Sequence, residues 1–142
     1  MENSNSLNRF ITAQKDQYAI AFGEIQAGRK RSHWMWFIFP QVKGLGMSEL
    51  SSFYGITGLP EAEEYLNHPV LGRRLRAICQ ELEKLPTNDA HEIFGSPDDL
   101  KLKSCLTLFA AVTNPDPVFE SLLRKFYQGK RDNRTLALIN NQ

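Results

Sequence analysis

The most distinctive part of the sequence is Arg29-Lys30-Arg31-Ser32-His33-Trp34-Met35-Trp36-Phe37-Ile38-Phe39-Pro40-Gln41. Three consecutive cations lead directly into both tryptophans of the chain and into an apolar run that stops at proline. Large apolar side chains favour burial, whereas Lys and Arg resist burial unless they are paired. We therefore expect the chain to pass from the surface into the core along this stretch.

The apolar part, Trp34 to Phe39, is compatible with a buried strand or a buried helix, because a continuous apolar run has no periodicity that separates the two. No partner strand is evident elsewhere in the sequence, and a lone strand would leave its backbone donors and acceptors unpaired. A proline disfavours the helical conformation at the residue before it. The sequence therefore favours a short buried helix that ends before Pro40.

Apolar residues spaced three and four apart predict helices in the rest of the chain. Before the central stretch, a short helical face at Leu7 to Ala13 is followed by a second helix, which Asp16 caps and Gly28 ends. After it, helix starts are predicted at Ser48, Gly58-Pro60, Pro69, Asn88 or Asp89, a Ser96-Pro97-Asp98-Asp99 capping box, Asp116-Pro117 and Asp132.

The helix that follows the predicted capping box is apolar on nearly every side, which is typical of a helix in the middle of a bundle. This series of helices, without repeats or a linker, predicts an all-α fold: an irregular multihelical single domain with buried central helices. We expect this domain to span residues 1–142, with residues 1–6 as a flexible tail.

Composition narrows the class of protein. Seventeen Lys and Arg against sixteen Asp and Glu give a net charge of +1, which is too balanced for the broad electrostatic footprint of a general nucleic-acid binder. The polar N-terminus and the short apolar runs predict a cytoplasmic protein without a membrane span. Cys79 and Cys105 lie among apolar residues outside any metal-ligand spacing, so we expect buried, reduced thiols.

Known cofactor motifs are not matched. Gly23 to Ser32 has the outline of a phosphate-binding loop, but Arg29 and Lys30 stand where lysine and a hydroxyl residue are required. Gly44-Leu45-Gly46 lacks the third glycine of a dinucleotide fingerprint. The three histidines are far apart and form no metal signature. We expect no cofactor and no metal.

The candidate site is composite, since cations beside an aromatic face can clamp a phosphorylated or planar ligand. Its expected ligand-binding residues are Arg29, Lys30, Arg31, Ser32, His33, Trp34, Trp36, Gln41, Asp98, Lys101 and Lys103. In this hypothesis Lys30 and Arg31 hold the anion and Trp34 or Trp36 stacks on a ring. His33 and Asp99 are the candidates for acid-base catalysis, and whether the protein is an enzyme stays open.

A competing interpretation is structural: the aromatics form the core and the cations pair with carboxylates such as Asp98 and Asp99. It has the stronger general support, because buried aromatic residues commonly just pack. Both interpretations hold together if Asp98, Asp99, Lys101 and Lys103 line one cleft.

Several ungapped blocks resemble one bacterial family, catalogued as domain of unknown function 1810. They are residues 28–41, Gly44-Leu45-Gly46, Tyr65-Leu66-Asn67-His68-Pro69-Val70-Leu71-Gly72 with Arg74-Leu75, and Ile93 to Ser104. The resemblance spans Asn8 to Leu138 and implies a multihelical single-domain fold with buried central helices. It implies no function. Some members carry the label calpastatin, but inhibitors of that kind are disordered repeat proteins, whereas this chain reads as compact and repeat-free. Cys105 stands where the resemblance leads us to expect serine or another small residue.

Three functional hypotheses follow. The first is binding of a phosphorylated or nucleotide-like small molecule at the cationic-aromatic site. The second is a protein-protein interaction module without catalysis, with exposed members of Trp34 to Phe39 as the contact patch. RNA binding through the arginines is the third, and the near-neutral net charge gives it the least support.

Overall fold

The computed structural model describes the backbone of residues 2–140 and the side chains of residues 7–140. Over these residues it contains nine helices and one isolated β-bridge. The helices are α1 (Glu2–Gln26), α2 (Met35–Ile38), α3 (Glu49–Phe53), α4 (Leu59–Asn67), α5 (Leu71–Lys84), α6 (Ala90–Phe94), α7 (Asp98–Ala110), α8 (Pro117–Tyr127) and α9 (Asn133–Asn140). The expected all-α, irregular multihelical architecture is confirmed. The expected tail at residues 1–6 lies outside the residues whose side chains are described, and the span of one domain over 1–142 stays a prediction.

Helix α1 is continuous, so the prediction of two helices separated near Asp16 is wrong. Phe10, Gln14, Ala21 and Ile25 are all buried on the same side of this helix. Positions three, four and seven apart share a helix face, so the buried stripe runs straight past Asp16, which is exposed. The sequence pattern was interrupted only because the stripe includes a polar residue, Gln14.

Gln14 ties three other helices to α1. Its Nε2 donates to the backbone carbonyl of Phe37 at 2.8 Å and lies 3.1 Å from the hydroxyl oxygen of Tyr65. The guanidinium of Arg74 donates to Oε1 of Gln14 at 3.2 Å. A buried amide is tolerated when its donors and acceptor are paired in this way. The network fixes α2 against α1, α4 and α5.

The short helix expected in the central stretch is confirmed as α2. Four members of its apolar run are buried: Trp34, Met35, Ile38 and Phe39. Trp36 and Phe37 keep part of their side chains exposed. The stretch therefore does pass from the surface into the core, and it leaves Trp36 at the boundary.

Helix α7 is the buried central helix. Seven of its residues from Leu102 to Phe109 are buried, and it packs most extensively against α8. Cys105 in α7 and Cys79 in α5 are both free and buried, as predicted. Burial raises the pKa of each thiol above its ordinary range.

The connection between α6 and α7 differs from the prediction. Asp89 is one of the two residues predicted to begin α6. It caps this helix by accepting a hydrogen bond of 2.9 Å from the backbone N–H of His91. The predicted capping box is wrong: Pro97, not Ser96, occupies the N-cap position of α7. The backbone N–H of Asp99, which a Ser96 cap would have bound, donates instead to the carbonyl of Gly95 at 2.9 Å.

No helix in the described part of the chain is long and apolar enough to cross a membrane.

Candidate ligand-binding site

Gly28 places the basic segment beside the end of α1. Its φ of +83° suits glycine, and its N–H donates to the carbonyl of Ile25 at 2.9 Å. The N–H of Arg29 then donates to the carbonyl of Glu24 at 3.0 Å. The predicted glycine cap is confirmed, and the turn directs residues 29–34 back over the last turn of the helix.

The carboxylate of Glu24 organises this segment. It accepts from the backbone N–H groups of Arg31 and Ser32 at 2.8 and 3.0 Å, from the Ser32 hydroxyl at 2.6 Å and from Nε1 of Trp34 at 2.9 Å. Burial alone would raise the pKa of Glu24, but the hydrogen bonds from Ser32, Arg31 and Trp34 outweigh it and lower the pKa to about 2. Glu24 is therefore an ionised anchor.

Sequence reasoning missed Glu24, although one signal was present. A carboxylate in the last turn of a helix opposes the negative end of the helix dipole. Such a position needs donors from elsewhere, and the donors here come from the segment that follows.

The structure separates the three consecutive cations. Arg29 and Arg31 are exposed, whereas the Lys30 side chain is only 9% exposed. Lys30 Nζ lies 2.9 Å from Oδ2 of Asp98 and donates to the carbonyl of Ser32 at 2.5 Å. Lys30 is therefore already paired within the protein, and the hypothesis that Lys30 and Arg31 hold one anion stays a prediction. The pairing of Lys30 with Asp98 agrees with the structural interpretation.

The two tryptophans have different surroundings. Trp34 is fully buried, with its ring 6.0 Å from that of Phe39 between centroids, so it offers no open face for a ligand. Trp36 is half-buried, and the ammonium of Lys101 lies 3.9 Å from its ring centroid. Lys101 also lies 3.2 Å from Oδ1 of Asp98, so this carboxylate bridges Lys30 and Lys101. Of the two expected stacking residues, Trp36 is the available one.

The candidate acid-base pair is not brought together by any described contact. Oδ2 of Asp99 lies 3.5 Å from Nδ1 of His91, and the backbone carbonyl of Asp99 accepts a hydrogen bond from the hydroxyl of Tyr127. His33 is exposed and lines a cavity together with Lys30 and Tyr54, and Asp99 does not line that cavity. A joint catalytic role of His33 and Asp99 stays a prediction.

One cavity of about 400 Å³, which we call the Gln41 cavity, lies where α2, α7 and the start of α9 meet. It is lined by Trp36, Gln41, Leu45, Gly46, Pro97, Leu100, Lys101, Lys103, Ser104, Asp132 and Arg134. Four of the expected site residues are thus gathered here: Trp36, Gln41, Lys101 and Lys103. The lining holds three cations against one carboxylate.

Gln41 is fixed through its backbone. Its carbonyl accepts from the N–H of Ile56 at 2.8 Å, and the N–H of Lys43 donates to the Ile56 carbonyl at 2.7 Å, which forms the β-bridge of Val42 with Ile56. Gln41 as a whole is 9% exposed. Among the described residues, its Nε2 is the buried side-chain nitrogen or oxygen that has no hydrogen-bond partner. Buried polar groups are normally paired, so this amide needs an explanation.

Hydrogen bonds hold one wall of the Gln41 cavity in place. Asp132, predicted as the cap of the last helix, accepts from the backbone N–H and hydroxyl of Thr135 at 3.0 and 2.5 Å, which confirms the cap. It also accepts from the hydroxyl of Ser104 at 3.1 Å. The guanidinium of Arg134 donates to the carbonyl of Leu45 at 3.0 Å and so secures the glycine-containing loop.

Ser104, Asp132 and Arg134 were not among the expected site residues. Ser104 lies 28 residues before Asp132 in the sequence, and only tertiary packing brings these side chains into the same cavity as Gln41. The predicted helix start at Asp132 identified this residue correctly as a cap but did not indicate that it lines a cavity.

A second cavity of about 450 Å³, which we call the Tyr54 cavity, shares Trp36 and Lys101 with the first. Its lining is Lys30, His33, Met35, Trp36, Phe37, Leu50, Tyr54, Asp98 and Lys101. Arg29, Arg31, Ser32 and Trp34 line neither of the two cavities. The expected site therefore divides into two neighbouring cavities, with some expected residues left outside both.

No group of three or more His, Cys, Asp or Glu side chains within the described residues is arranged to hold a metal ion.

Comparisons with known proteins agree with the fold. The family model described as "Protein of unknown function (DUF1810)" matches residues 4–139. The chain is also similar to the crystal structure of the conserved hypothetical protein Rv1873 from Mycobacterium tuberculosis, with 48% sequence identity and a TM-score of 0.92. That match covers 94% of this chain and 96% of the other. No curated protein matches the sequence.

Proposed function

We propose that this chain, which belongs to the DUF1810 family of proteins of unknown function, binds a small phosphorylated molecule in the Gln41 cavity. The family description names no ligand, and the proposal stands on the geometry of the cavity. It retains the ligand class expected from the sequence and assigns the anion to the Gln41 cavity instead of to Lys30 and Arg31.

The observation that carries the proposal is the unpartnered amide of Gln41. A buried donor without an acceptor costs about 1–3 kcal/mol, and here the donor belongs to a side chain that lines a cavity. A ligand oxygen that reached this amide from the cavity would remove that cost. The amide thus favours a ligand that brings hydrogen-bond acceptors.

The charges around the cavity favour an anion. Neither Lys103 nor Arg134 forms an ion pair within the described part of the chain; Lys103 lies 5.9 Å from the Tyr127 ring, and Arg134 donates to a backbone carbonyl. Asp132, the opposing carboxylate, is already engaged by Ser104 and Thr135. Charged donors directed at phosphate oxygens form hydrogen bonds about twice as strong as neutral ones.

The proposal is tested by calorimetric titration with inorganic pyrophosphate and with ribose 5-phosphate. We expect the wild-type protein to bind at least one of them and Lys103→Met to weaken binding about tenfold through the lost charged contact. Lys130→Met is the matched control, because Lys130 is exposed and does not line the cavity. No binding to the wild type, or equal affinities in Lys103→Met and Lys130→Met, would overturn the proposal.

A second candidate function is self-association through an apolar surface. The central stretch supplies little of it, since Trp36 and Phe37 are its partly exposed aromatic residues. The exposed apolar side chains lie instead at Met47, Leu50 and Phe53, which are 97%, 53% and 58% exposed. A mass in light scattering that rises with concentration and returns to 16.2 kDa in Phe53→Ser would support this candidate. A constant monomer mass in the wild type would exclude it.

We also propose that the protein acts in the bacterial cytoplasm. Two buried cysteines that form no disulfide are compatible with a reducing compartment. The similarity to a Mycobacterium tuberculosis protein supports a bacterial setting. Cell fractionation with an antibody against the protein tests the compartment.

A further inference from the structure

We propose that the Tyr54 cavity holds the planar ring of the same ligand, so that the ligand belongs to the nucleotide class: a heteroaromatic ring joined to a phosphate. This inference rests on the proposed function, because it assigns the phosphate to the Gln41 cavity. It adds a second subsite and a chemical identity for the part of the ligand that is not charged.

The two cavities share a wall. Trp36 and Lys101 line both of them, and the Lys101 ammonium lies 3.9 Å from the Trp36 ring centroid. Cavities with a common wall of two side chains are neighbours, so one small molecule can contact both. Their volumes of about 400 and 450 Å³ each fall in the range of small-molecule sites.

The lining of the Tyr54 cavity suits a flat ring. Trp36, Phe37 and Tyr54 all line it and all are half-buried, and the rings of Phe37 and Tyr54 lie 5.4 Å apart between centroids. Met35 and Leu50 add aliphatic surface. Aromatic side chains that keep an accessible face are the usual platforms for stacking a base.

A few polar groups at the same cavity can orient a heterocycle. Asp98 bridges Lys30 and Lys101 at 2.9 and 3.2 Å, so the cavity presents one carboxylate and two ammonium groups. The carboxylate is an acceptor for an amino group on a ring, and each ammonium is a donor for a ring carbonyl or nitrogen. A mainly apolar pocket with a small number of polar groups is the common composition of a cofactor or nucleotide site.

The charge of the whole chain argues for a small ligand. A net charge of +1 is lower than the strongly positive charge that binding of a long polyanion usually requires. Free mononucleotides therefore fit the site better than a nucleic-acid strand.

The inference is tested by calorimetry with the four ribonucleoside 5′-monophosphates, the matching nucleosides and ribose 5-phosphate. We expect at least one mononucleotide to bind about tenfold or more tightly than ribose 5-phosphate, because ring stacking adds to phosphate binding. If ribose 5-phosphate binds but no mononucleotide binds more tightly, the second subsite is wrong and the proposed function stands. If no phosphorylated probe binds, both are wrong.

A pair of variants locates the ring. Leu50→Trp places a larger side chain at a half-exposed position that lines the Tyr54 cavity, and Met47→Trp makes the same change at an exposed position that does not line it. We expect Leu50→Trp to abolish the tenfold preference for the mononucleotide while leaving ribose 5-phosphate affinity unchanged, and Met47→Trp to change neither. An unchanged preference in Leu50→Trp would overturn the assignment of the ring to this cavity.

Discussion

The indole Nε1–H of Trp34 donates a hydrogen bond of 2.9 Å to Oε1 of Glu24. This contact joins the last turn of α1 to the first residue of the apolar run in the central stretch. It satisfies the polar atom of a fully buried tryptophan, and it adds a donor to a carboxylate that also binds the backbone of Arg31 and Ser32. The basic segment is therefore held by Glu24 as well as by the ion pair of Lys30 with Asp98.

The first prediction concerns acid stability. The pKa of Glu24 is lowered from 4.5 to about 2 in the folded protein, so its ionised form stabilises the fold above pH 4.5 and that contribution is lost as the pH falls toward 2. We expect Glu24→Gln to lower the free energy of unfolding by about 2 kcal/mol at pH 7, where donors to an ionised acceptor are lost. The difference from wild type should shrink markedly by pH 3 in urea titrations.

The control for this prediction is Asp16→Asn, which removes an exposed carboxylate from the same helix. It should change the free energy of unfolding by less than about 0.5 kcal/mol. A Glu24→Gln deficit that is equally large at pH 7 and pH 3 would show that the ionised carboxylate is not the stabilising form.

The second prediction compares two helical glycines. A Cβ on Gly72 would lie 2.0 Å from the backbone carbonyl oxygen of Leu66, whereas a Cβ on Gly23 would meet nothing within 4 Å. Alanine usually stabilises a helix interior by about 0.5–1 kcal/mol relative to glycine. We expect Gly23→Ala to raise the unfolding free energy by that amount and Gly72→Ala to lower it by about 2 kcal/mol or more through backbone displacement. Chemical denaturation measures both, and a Gly72→Ala variant as stable as wild type would contradict the close approach of α4 and α5.

The third prediction concerns thiol reactivity. Cys79 and Cys105 are fully buried, and burial raises the pKa of each thiol. Only the thiolate reacts rapidly with disulfide reagents. We expect neither cysteine to react with a coloured aromatic disulfide in the native protein and both to react after unfolding in guanidinium. Rapid labelling of the native protein would place at least one thiol at the surface.

Much of the helical framework was readable from the sequence, because its ends carry local signals. Ser48 caps α3 by accepting from the N–H of Ser51, Asp116 caps α8, and glycines with positive φ follow α1 and α6. The two errors also have local causes. A buried Gln14 concealed the continuity of α1, and at Ser96 the Gly95 carbonyl took the donor that the serine was expected to bind.

The candidate site was predictable only in part. Trp36, Gln41, Lys101 and Lys103 were expected and do line one cavity. Local patterns cannot show which aromatic residue of a continuous apolar run faces outward, so Trp34 and Trp36 looked equivalent. Walls built from Arg134 and other residues of the last helix depend on packing between distant segments, which no spacing in the sequence reports.

The measurement that tests the central claim most directly is the thermal midpoint of wild type and Gln41→Met, each with and without ribose 5-phosphate. Methionine has a similar shape and removes the unpartnered amide. We predict that Gln41→Met unfolds at the wild-type temperature or about 3 °C higher without ligand, since a buried unpaired donor is removed, and that ribose 5-phosphate stabilises the wild type but not the variant. A variant that loses stability without ligand and is stabilised by ribose 5-phosphate as much as the wild type would contradict the assignment of Gln41 to ligand binding.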